Sequence, residues 1–294
     1  MSLNISEINL KTGLYIVATP IGNLKDITLR ALEVLSNVDV VVCEDSRVSD
    51  KLLSAYGIKK SLFVYNDNKG EVARNKILKM LSDNMSVALV SDAGTPLISD
   101  PGFKLIRDAI ESGYYISSIP GASSVITAIT LSGMASNRFL FEGFLASKAV
   151  SRTQQLTELS KINSTIVLFE RSSRVVSTLR EIQYIFGNRE AAVVRELTKK
   201  FEEKFYGDID SIIENIEKKE SLKGEVVIVI SPTEVNVEVY DGDLEDRIIK
   251  LLKTNKSKKV VAELVEETGL SKNFIYNKVL EIKNKTNDDK EDKQ

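Results

Sequence analysis

Two kinds of cluster in this chain carry residue types able to do chemistry. The first sets carboxylates beside cations: Glu44-Asp45-Ser46-Arg47 and Arg195-Glu196-Leu197-Thr198-Lys199-Lys200. Such a carboxylate takes a proton or orients a hydroxyl, while the neighbouring cation positions phosphate or balances developing charge. Asp45 is the first candidate for a base and Glu196 the second, with Arg47, Arg195 and Lys199 as positioning cations. Tyr65-Asn66-Asp67-Asn68-Lys69 and Glu170-Arg171-Ser172-Ser173-Arg174 repeat the polar pattern, and Tyr65 adds an aromatic platform on which a nucleobase could stack. The second kind cradles a ligand. The run Ser91-Asp92-Ala93-Gly94-Thr95-Pro96-Leu97-Ile98-Ser99-Asp100-Pro101-Gly102 holds two glycines and two prolines. It is longer than the roughly 2–6 residues of an ordinary strand-to-helix connection. Ala18-Thr19-Pro20-Ile21-Gly22-Asn23-Leu24 and Pro120-Gly121-Ala122-Ser123-Ser124 are shorter loops of like composition. Singly each is turn chemistry; three together make a composite pocket.

The elements that position these clusters follow from hydrophobic periodicity. Apolar runs predict strands at Leu14 to Ala18, Val38 to Cys43, Leu62 to Tyr65, Val87 to Val90 and Tyr115 to Ile119. Between them, helical spacing predicts a helix from Ile27 capped by Asp26, then Ser49 to Tyr56 with Gly57 as C-cap, Glu71 to Leu81, and Phe103 to Ile110. Alternating strands and helices imply a largely parallel sheet covered on both faces, with the first two strands joined as a βαβ unit. The loops then fall at the carboxyl ends of strands, where open α/β sheets bind ligands. A second series runs from Phe139 to Ile230, and its close strand pair around Lys199 implies a mixed sheet. After Pro232 the pattern turns helical, at Leu244 to Leu252, Val260 to Glu267 and Asn273 to Ile282, with a Gly269-Leu270-Ser271 turn. This is a helix-turn-helix outline. The expected organisation is an α/β domain at 1–119, a second at 120–234, a helical extension at 241–283 and a disordered tail at 284–294.

Composition excludes several classes. The chain of 294 residues has no histidine, which removes imidazole acid–base catalysis and ordinary His-containing zinc sites. Its single cysteine, Cys43, cannot form an intrachain disulfide and reads as a small buried hydrophobe. No metal is expected. A net charge of -2 gives no global attraction to nucleic acid, so contact with RNA needs a local patch. From Arg247 to Lys285 basic residues outnumber acidic ones, which suits phosphate contact as well as a solvated helical face. The first loop lacks the G-x-G-x-x-G spacing and no Walker lysine motif occurs. Met1 to Thr12 shows no signal peptide and no apolar run spans a membrane, so the protein is expected in the cytoplasm without a membrane partner.

Taken in order, LYIVATPIGNLKDITLR (Leu14 to Arg30), Glu44 to Arg47, the 91–102 loop, Pro120 to Ser124 and RFLFEGF (Arg138 to Phe144) resemble the ribosomal RNA small subunit methyltransferase I family, of the tetrapyrrole methylase fold group. The resemblance implies an α/β fold of two tetrapyrrole-methylase-type domains with the cofactor in the interdomain cleft, plus the small helical unit. It implies S-adenosylmethionine-dependent 2'-O-methylation of a cytidine in the decoding region of 16S rRNA, naked or in the small ribosomal subunit, by a homodimer. Carried over position by position, the cofactor residues are Ile21, Ala93, Gly94, Thr95, Ile98, Ser123, Ser124, Glu170 and Leu197. Asp45, Arg47, Glu196 and Lys199 are the catalytic candidates. The chain departs from the family where Ser46 replaces a threonine and where histidines are missing from 65–68 and 170–174. The rival readings are a small-molecule methyltransferase of the same fold, such as one acting on tetrapyrroles, and a non-enzymatic nucleic-acid binder working through its helix-turn-helix.

Overall fold

The computed structural model describes residues 8–66, 70–219, 222–232, 237–268 and 275–283, with side chains in all of these but 237–243 and 266–268. Asp67 to Lys69, the turn at 269–271 and the tail at 284–294 lie outside the described residues. Met1–Thr233 form one compact unit and Glu234–Gln294 another.

The first unit contains two sheets. Strands β1 (Gly13–Val17), β2 (Val40–Cys43), β3 (Ser61–Val64), β4 (Ser86–Leu89) and β5 (Ile116–Ile119) lie in the order β3-β2-β4-β1-β5. Every pairing is parallel. A parallel sheet buries both faces, which is why its strands read as unbroken apolar runs. The faces sort by alternation. Tyr15, Val17, Val41, Cys43 and Ala88 meet helices α1 (Leu29–Asn37) and α2 (Ser46–Ala55). Leu14, Val40, Val42, Val87 and Leu89 meet α3 (Gly70–Ser82) and α4 (Phe103–Glu111). The first two strands do not pair, since β4 lies between them. The loops after β1, β2 and β4 therefore emerge side by side at one edge of the sheet.

Two helix starts differ from the sequence reading. Asp26 belongs to a short 3-10 turn, Leu24–Asp26, and the cap of α1 is Thr28, whose hydroxyl accepts the Ala31 N–H at 3.1 Å. Helix α2 begins at Ser46 because Asp45 caps it, accepting the Arg47 N–H at 2.9 Å. Ser46 and Arg47 thus sit in a helical first turn, and the Gly57 turn ends that helix with φ +71°.

The second sheet is mixed, as the strand pair around Lys199 implies. Helix α5 (Ser124–Ser132) precedes β6 (Phe139–Phe144), α6 (Ala149–Leu159), β7 (Thr165–Arg171), α7 (Val175–Phe186), β8 (Glu190–Arg195), β9 (Glu203–Asp208), α8 (Ile209–Glu217) and β10 (Glu225–Ile230). The order is β6-β7-β10-β8-β9, with only β6 and β7 parallel. Helices α6, α7 and α8 cover one face over a core that includes Ile166, Leu168, Val193 and Ile228. Helix α5 covers the other, packing Val125, Ala128 and Ile129 on Val167, Ala192, Val227 and Val229. The chain from Ser124 on therefore builds the second layer system, although it follows directly from β5.

In the second unit, α9 (Val237–Leu252), α10 (Ser257–Thr268) and helical residues 275–283 share a core of Leu244, Ile248, Val260, Leu264, Ile275 and Val279. Among the described residues no helix is long and apolar enough to cross a membrane.

The capping assignment is directly testable. Thr28→Ala is expected to cost about 1 kcal/mol, the usual loss for an N-cap hydroxyl. Asp26→Ala is expected to cost much less. Urea melts followed by circular dichroism separate the two, and equal losses would return the cap to Asp26.

Candidate functional site

The loops at 18–24, 91–102 and 120–124 close on one another before they close on anything else. Thr19 and Gly94 form an isolated antiparallel bridge, N–H to carbonyl at 2.8 and 3.0 Å in the two directions. The Thr95 hydroxyl donates to the Ala122 carbonyl at 3.1 Å. A Cβ on Gly121 would come within 3.0 Å of the Ala18 Cβ, so Gly121 lets these backbones touch. Gly94 has φ +81°, a conformation that disfavours any side chain, and a Cβ there would press on Ile21 at 3.2 Å.

Loop 18–24 also reaches the second sheet. Ile21 is buried against Val125, Val194, Leu197 and Val227. The Asn23 N–H donates to the Thr198 hydroxyl at 3.1 Å. A Cβ on Gly22 would lie 2.4 Å from Lys199 Cγ and 2.9 Å from the Leu197 carbonyl oxygen. Only glycine allows that approach.

Between these loops and the second sheet lies a cleft of about 480 Å³, within the usual range for a small-molecule site of roughly 300–1,000 Å³. Ile21, Ala93, Gly94, Thr95, Ile98, Ser123, Ser124, Glu170 and Leu197 all line it. The Ser123 hydroxyl also caps α5, accepting the Ile126 N–H. Glu170 is buried, and its carboxylate is engaged by the Thr178 hydroxyl at 2.7 Å, the Arg171 N–H at 2.8 Å and the Arg174 guanidinium at 3.3 Å.

The four catalytic candidates stand outside that lining. Asp45 holds the exposed Arg47 guanidinium at 2.5 Å, and this charge-assisted bond pulls its carboxyl down to about 2. So low a value makes a poor proton acceptor, since a useful base titrates near the working pH. Glu196 sits at φ +51° with its side chain folded over Gly224. Its carboxylate accepts the Glu225 N–H at 3.0 Å and Lys199 Nζ at 3.0 Å, while its own N–H donates to the Glu225 carbonyl at 2.9 Å. Burial pushes the Glu196 carboxyl up, but those bonds outweigh it and hold the group below its ordinary value. Lys199 is divided between Glu196 and Glu225, at 3.0 and 2.7 Å, and burial is outweighed there too, leaving a firmly charged ammonium. Arg195 is spent on Glu203 at 2.7 Å and on the Lys223 carbonyl. Glu196 and Lys199 therefore brace the wall that carries Leu197.

Sequence reasoning missed the wall formed by Gly224, Glu225, Val226 and Val227. The rule that ligands gather at carboxyl ends of strands fails here for a physical reason. Strand β10 runs antiparallel to β7 and β8, so its amino end lies beside their carboxyl ends. Phe144 and Phe169, ring centroids 5.5 Å apart, supply an aromatic wall from the ends of β6 and β7. The RFLFEGF segment was the available signal for Phe144. On the first sheet's side the rim is acidic. Burial foremost, then mutual repulsion, pushes Glu44 and Asp100 up; Asp92 is also raised by burial, against the Asp45 N–H it accepts at 3.2 Å. Among the described residues no group of three or more metal-binding side chains is placed to hold a metal ion.

Comparison with known proteins bears on the family and the fold. The profile of the tetrapyrrole (corrin/porphyrin) methylases matches residues 13–213. A ribosomal RNA small subunit methyltransferase I from Rickettsia prowazekii is 46% identical over 273 residues, covering 92% of this chain and 97% of that protein. Its counterpart from Mesorhizobium japonicum is 40% identical, covering 93% of each. One from Thermotoga maritima is 43% identical over 221 residues, 75% of this chain and 99% of that protein. Among solved structures, diphthine synthase superposes with a TM-score of 0.57 at 18% identity, covering 74% of this chain and 89% of that one. Uroporphyrin-III C-methyl transferase from Thermus thermophilus, complexed with S-adenyl homocysteine, gives 0.52 at 19%, covering 74% and 96%. At such identities the likeness is one of fold.

The Asp45–Arg47 pair makes a pH prediction. A carboxyl depressed in the folded state stabilises the fold above its ordinary titration range and loses that contribution as pH falls toward its folded value. Carbon-13 NMR is expected to find Asp45 titrating at about 2, and Arg47→Met is expected to return it toward the model-peptide value of about 3.9. A titration unchanged by Arg47→Met would remove the ion pair as the cause.

Proposed function

The chain belongs to the tetrapyrrole methylases and, within them, to the ribosomal RNA small subunit methyltransferase I family, and on that premise we propose that it methylates the 2'-hydroxyl of a cytidine in the decoding region of 16S rRNA with S-adenosylmethionine as methyl donor. The observation that carries this reading is the cleft, where three first-sheet loops meet the second sheet around a volume suited to a nucleoside-sized cofactor. The donor set fits that molecule. Ile21, Leu197, Phe169 and Val227 offer apolar surface to a flat base, and Thr95 and Ser124 offer hydroxyls to polar groups. Gly94 lets Ile21 keep its place in the wall, since a Cβ there would press on it at 3.2 Å. When bound, S-adenosylmethionine supplies a methyl carbon already activated by its sulfonium leaving group.

The protein's task is then alignment, because holding nucleophile and electrophile in line removes much of the entropic barrier. Ile21, Ala93, Gly94, Thr95, Ile98, Ser123, Ser124, Glu170 and Leu197 hold the cofactor. Glu170 does so as a rigid part of the wall, since its carboxylate is already engaged. Arg47, 85% exposed in its side chain, is placed to take an RNA phosphate, and Asp45 fixes its orientation. Lys199 acts as a brace carrying positive charge beside the cleft. The stretch from Arg247 to Lys285, where basic residues outnumber acidic ones although the second unit as a whole does not share that excess, adds phosphate contacts. The resemblance further implies a homodimer in the cytoplasm, and light scattering of the purified protein checks the first of these.

Three measurements test the reading. Incubation with S-adenosylmethionine and small ribosomal subunits, or their isolated RNA, should yield a 2'-O-methylcytidine located by mass spectrometry. Transfer to neither substrate would overturn it. Gly94→Val should abolish S-adenosylmethionine binding by calorimetry while circular dichroism stays native, and unchanged affinity would remove the 91–102 loop from the site. Removing residues 234–294 should preserve cofactor binding, weaken RNA binding and make its salt dependence shallower, because fewer counterions are released. Equal affinity and slope would make the second unit an appendage.

A further inference from the structure

The lining of the cleft holds four carboxylates, Asp92, Asp100, Glu170 and Glu225, and one cation, Arg171. Arg47, Arg174 and Lys199 are each held by a carboxylate. Arg171 is not. Its side chain is exposed, and among the described residues no carboxylate stands within ion-pair distance of its guanidinium. Resting on the methyl-transfer reading above, we propose that Arg171 positions the acceptor RNA by holding a backbone phosphate at the mouth of the cleft.

The fold keeps this guanidinium free although an acid lies opposite it. Arg171 ends β7, and its register partner on β10 is Glu225. Opposed residues on antiparallel strands hold their Cβ atoms roughly 4.5–5.5 Å apart, so an arginine facing a glutamate there would ordinarily pair with it. Glu225 instead takes Lys199 Nζ at 2.7 Å, and Lys199 is fixed further by Glu196 at 3.0 Å. Glu170, the preceding residue, turns its carboxylate to the Thr178 hydroxyl and to Arg174. The Arg171 backbone is firmly held all the same, since its N–H donates to that Glu170 carboxylate at 2.8 Å. A rigid strand end thus carries an arm whose five N–H donors have no protein acceptor among the described residues.

The neighbours of Arg171 say what that arm is for. Side chains two apart on a strand share a face, so Arg171 lies on the face that carries Phe169. The register partner of Phe169 on β6 is Phe144, whose ring is 55% exposed and also lines the cleft. An exposed ring and an uncommitted guanidinium at the ends of adjacent strands match a nucleotide, which offers a base to stack and a phosphate to clamp. Charge selects the acceptor over the cofactor as the source of the anion. RNA is a polyanion that meets four carboxylates in this lining, and a cation at the mouth offsets the like-charge cost of its approach. S-adenosylmethionine brings cationic groups of its own and needs no such offset. A phosphate contact sets register rather than reading sequence, and register is what brings the ribose hydroxyl into line with the methyl group.

The test compares Arg171→Gln and Arg171→Lys with the wild type, on whichever of isolated 16S RNA and small ribosomal subunits the wild type methylates. Arg171→Gln is expected to raise KM for the RNA by roughly 10–100-fold, the usual worth of hydrogen bonds to a charged group. Its kcat should change far less, because the lost contact is made in ground state and transition state alike. The slope of log affinity against log salt should become shallower by about one, the share of a single phosphate contact. Arg171→Lys keeps the charge, so it should keep that slope and recover part of KM, losing only the paired geometry of the guanidinium. Circular dichroism and S-adenosylmethionine affinity by calorimetry should match the wild type in both variants. An unchanged KM and salt slope in Arg171→Gln overturns the assignment alone. So does a loss of S-adenosylmethionine affinity with RNA binding unchanged, which would put the guanidinium on the cofactor's carboxylate. Absence of transfer by the wild type to either substrate overturns the methyl-transfer reading and the assignment with it.

Discussion

The cleft depends on one close approach, that of Gly22 to the backbone at Leu197. No side chain fits there without a shift, since a Cβ would fall 2.9 Å from the Leu197 carbonyl oxygen and 2.4 Å from Lys199 Cγ. The approach is held by Ile21, whose burial contributes about 1.5–3 kcal/mol by the usual transfer scale, and by the Asn23–Thr198 hydrogen bond. Thr198 in turn is held at φ +63° with its N–H on Glu202 at 2.7 Å. Through Thr19 the same loop is bridged to Gly94, and through Thr95 that loop is tied to 120–124. Three loops that look independent in sequence are therefore tied to one another and to the second sheet. A ligand between them meets a preformed wall on each side, which lowers the ordering cost of binding.

Charge is distributed across that cleft by commitment. On the second sheet's side the carboxylates and the cations other than Arg171 are mutually satisfied: Glu170 with Arg174, Glu196 and Glu225 with Lys199, Arg195 with Glu203. Partly buried pairs of this kind hold geometry more than they add stability, because desolvation offsets much of their attraction. On the first sheet's side Glu44, Asp92 and Asp100 crowd together without a cation of their own, apart from the influence of Arg47 on Asp92. A rim of unpaired negative potential favours a cationic ligand over its neutral product, so the electrostatics suit a sulfonium donor that loses its charge on reaction. The ion pairs supply the rigid half of the site, and the unpaired acids supply its negative rim.

What could be read from sequence follows local determinants closely. The parallel sheet was legible because each strand is a short apolar run bounded by turn residues; of the nine cofactor candidates, which came from the family resemblance and all line the cleft, seven lie in Gly/Pro loops after such runs, while Glu170 and Leu197 carry no such local mark. The helix starts at Thr28 and Asp45 were misjudged by a few residues because two polar residues near each start compete to cap it, and only tertiary packing selects one. The catalytic candidates were chosen for their neighbours in sequence, a carboxylate beside an arginine. That same adjacency lets Arg47 lower Asp45 and lets Lys199 occupy Glu196. Proximity in sequence selected for pairing, whereas a base needs isolation from cations.

The β10 wall shows a different kind of hidden information. Gly224 and Glu225 precede a strand, where a parallel sheet would put them far from the ligand edge. Reversing one strand brings them level with Arg171 and Arg195, their register partners' end of β7 and β8. The reversal has a chemical consequence. A strand's amino end presents N–H groups, and here the Glu225 N–H is spent on fixing Glu196, which holds the Leu197 turn. Without the antiparallel strand, Glu196 would lose both its backbone partners, and φ +51° at that position would have little to sustain it. Leu197, Gly22 and Ile21 follow from that turn. The mixed topology of the second sheet is therefore a condition for the close approach on which the cleft depends.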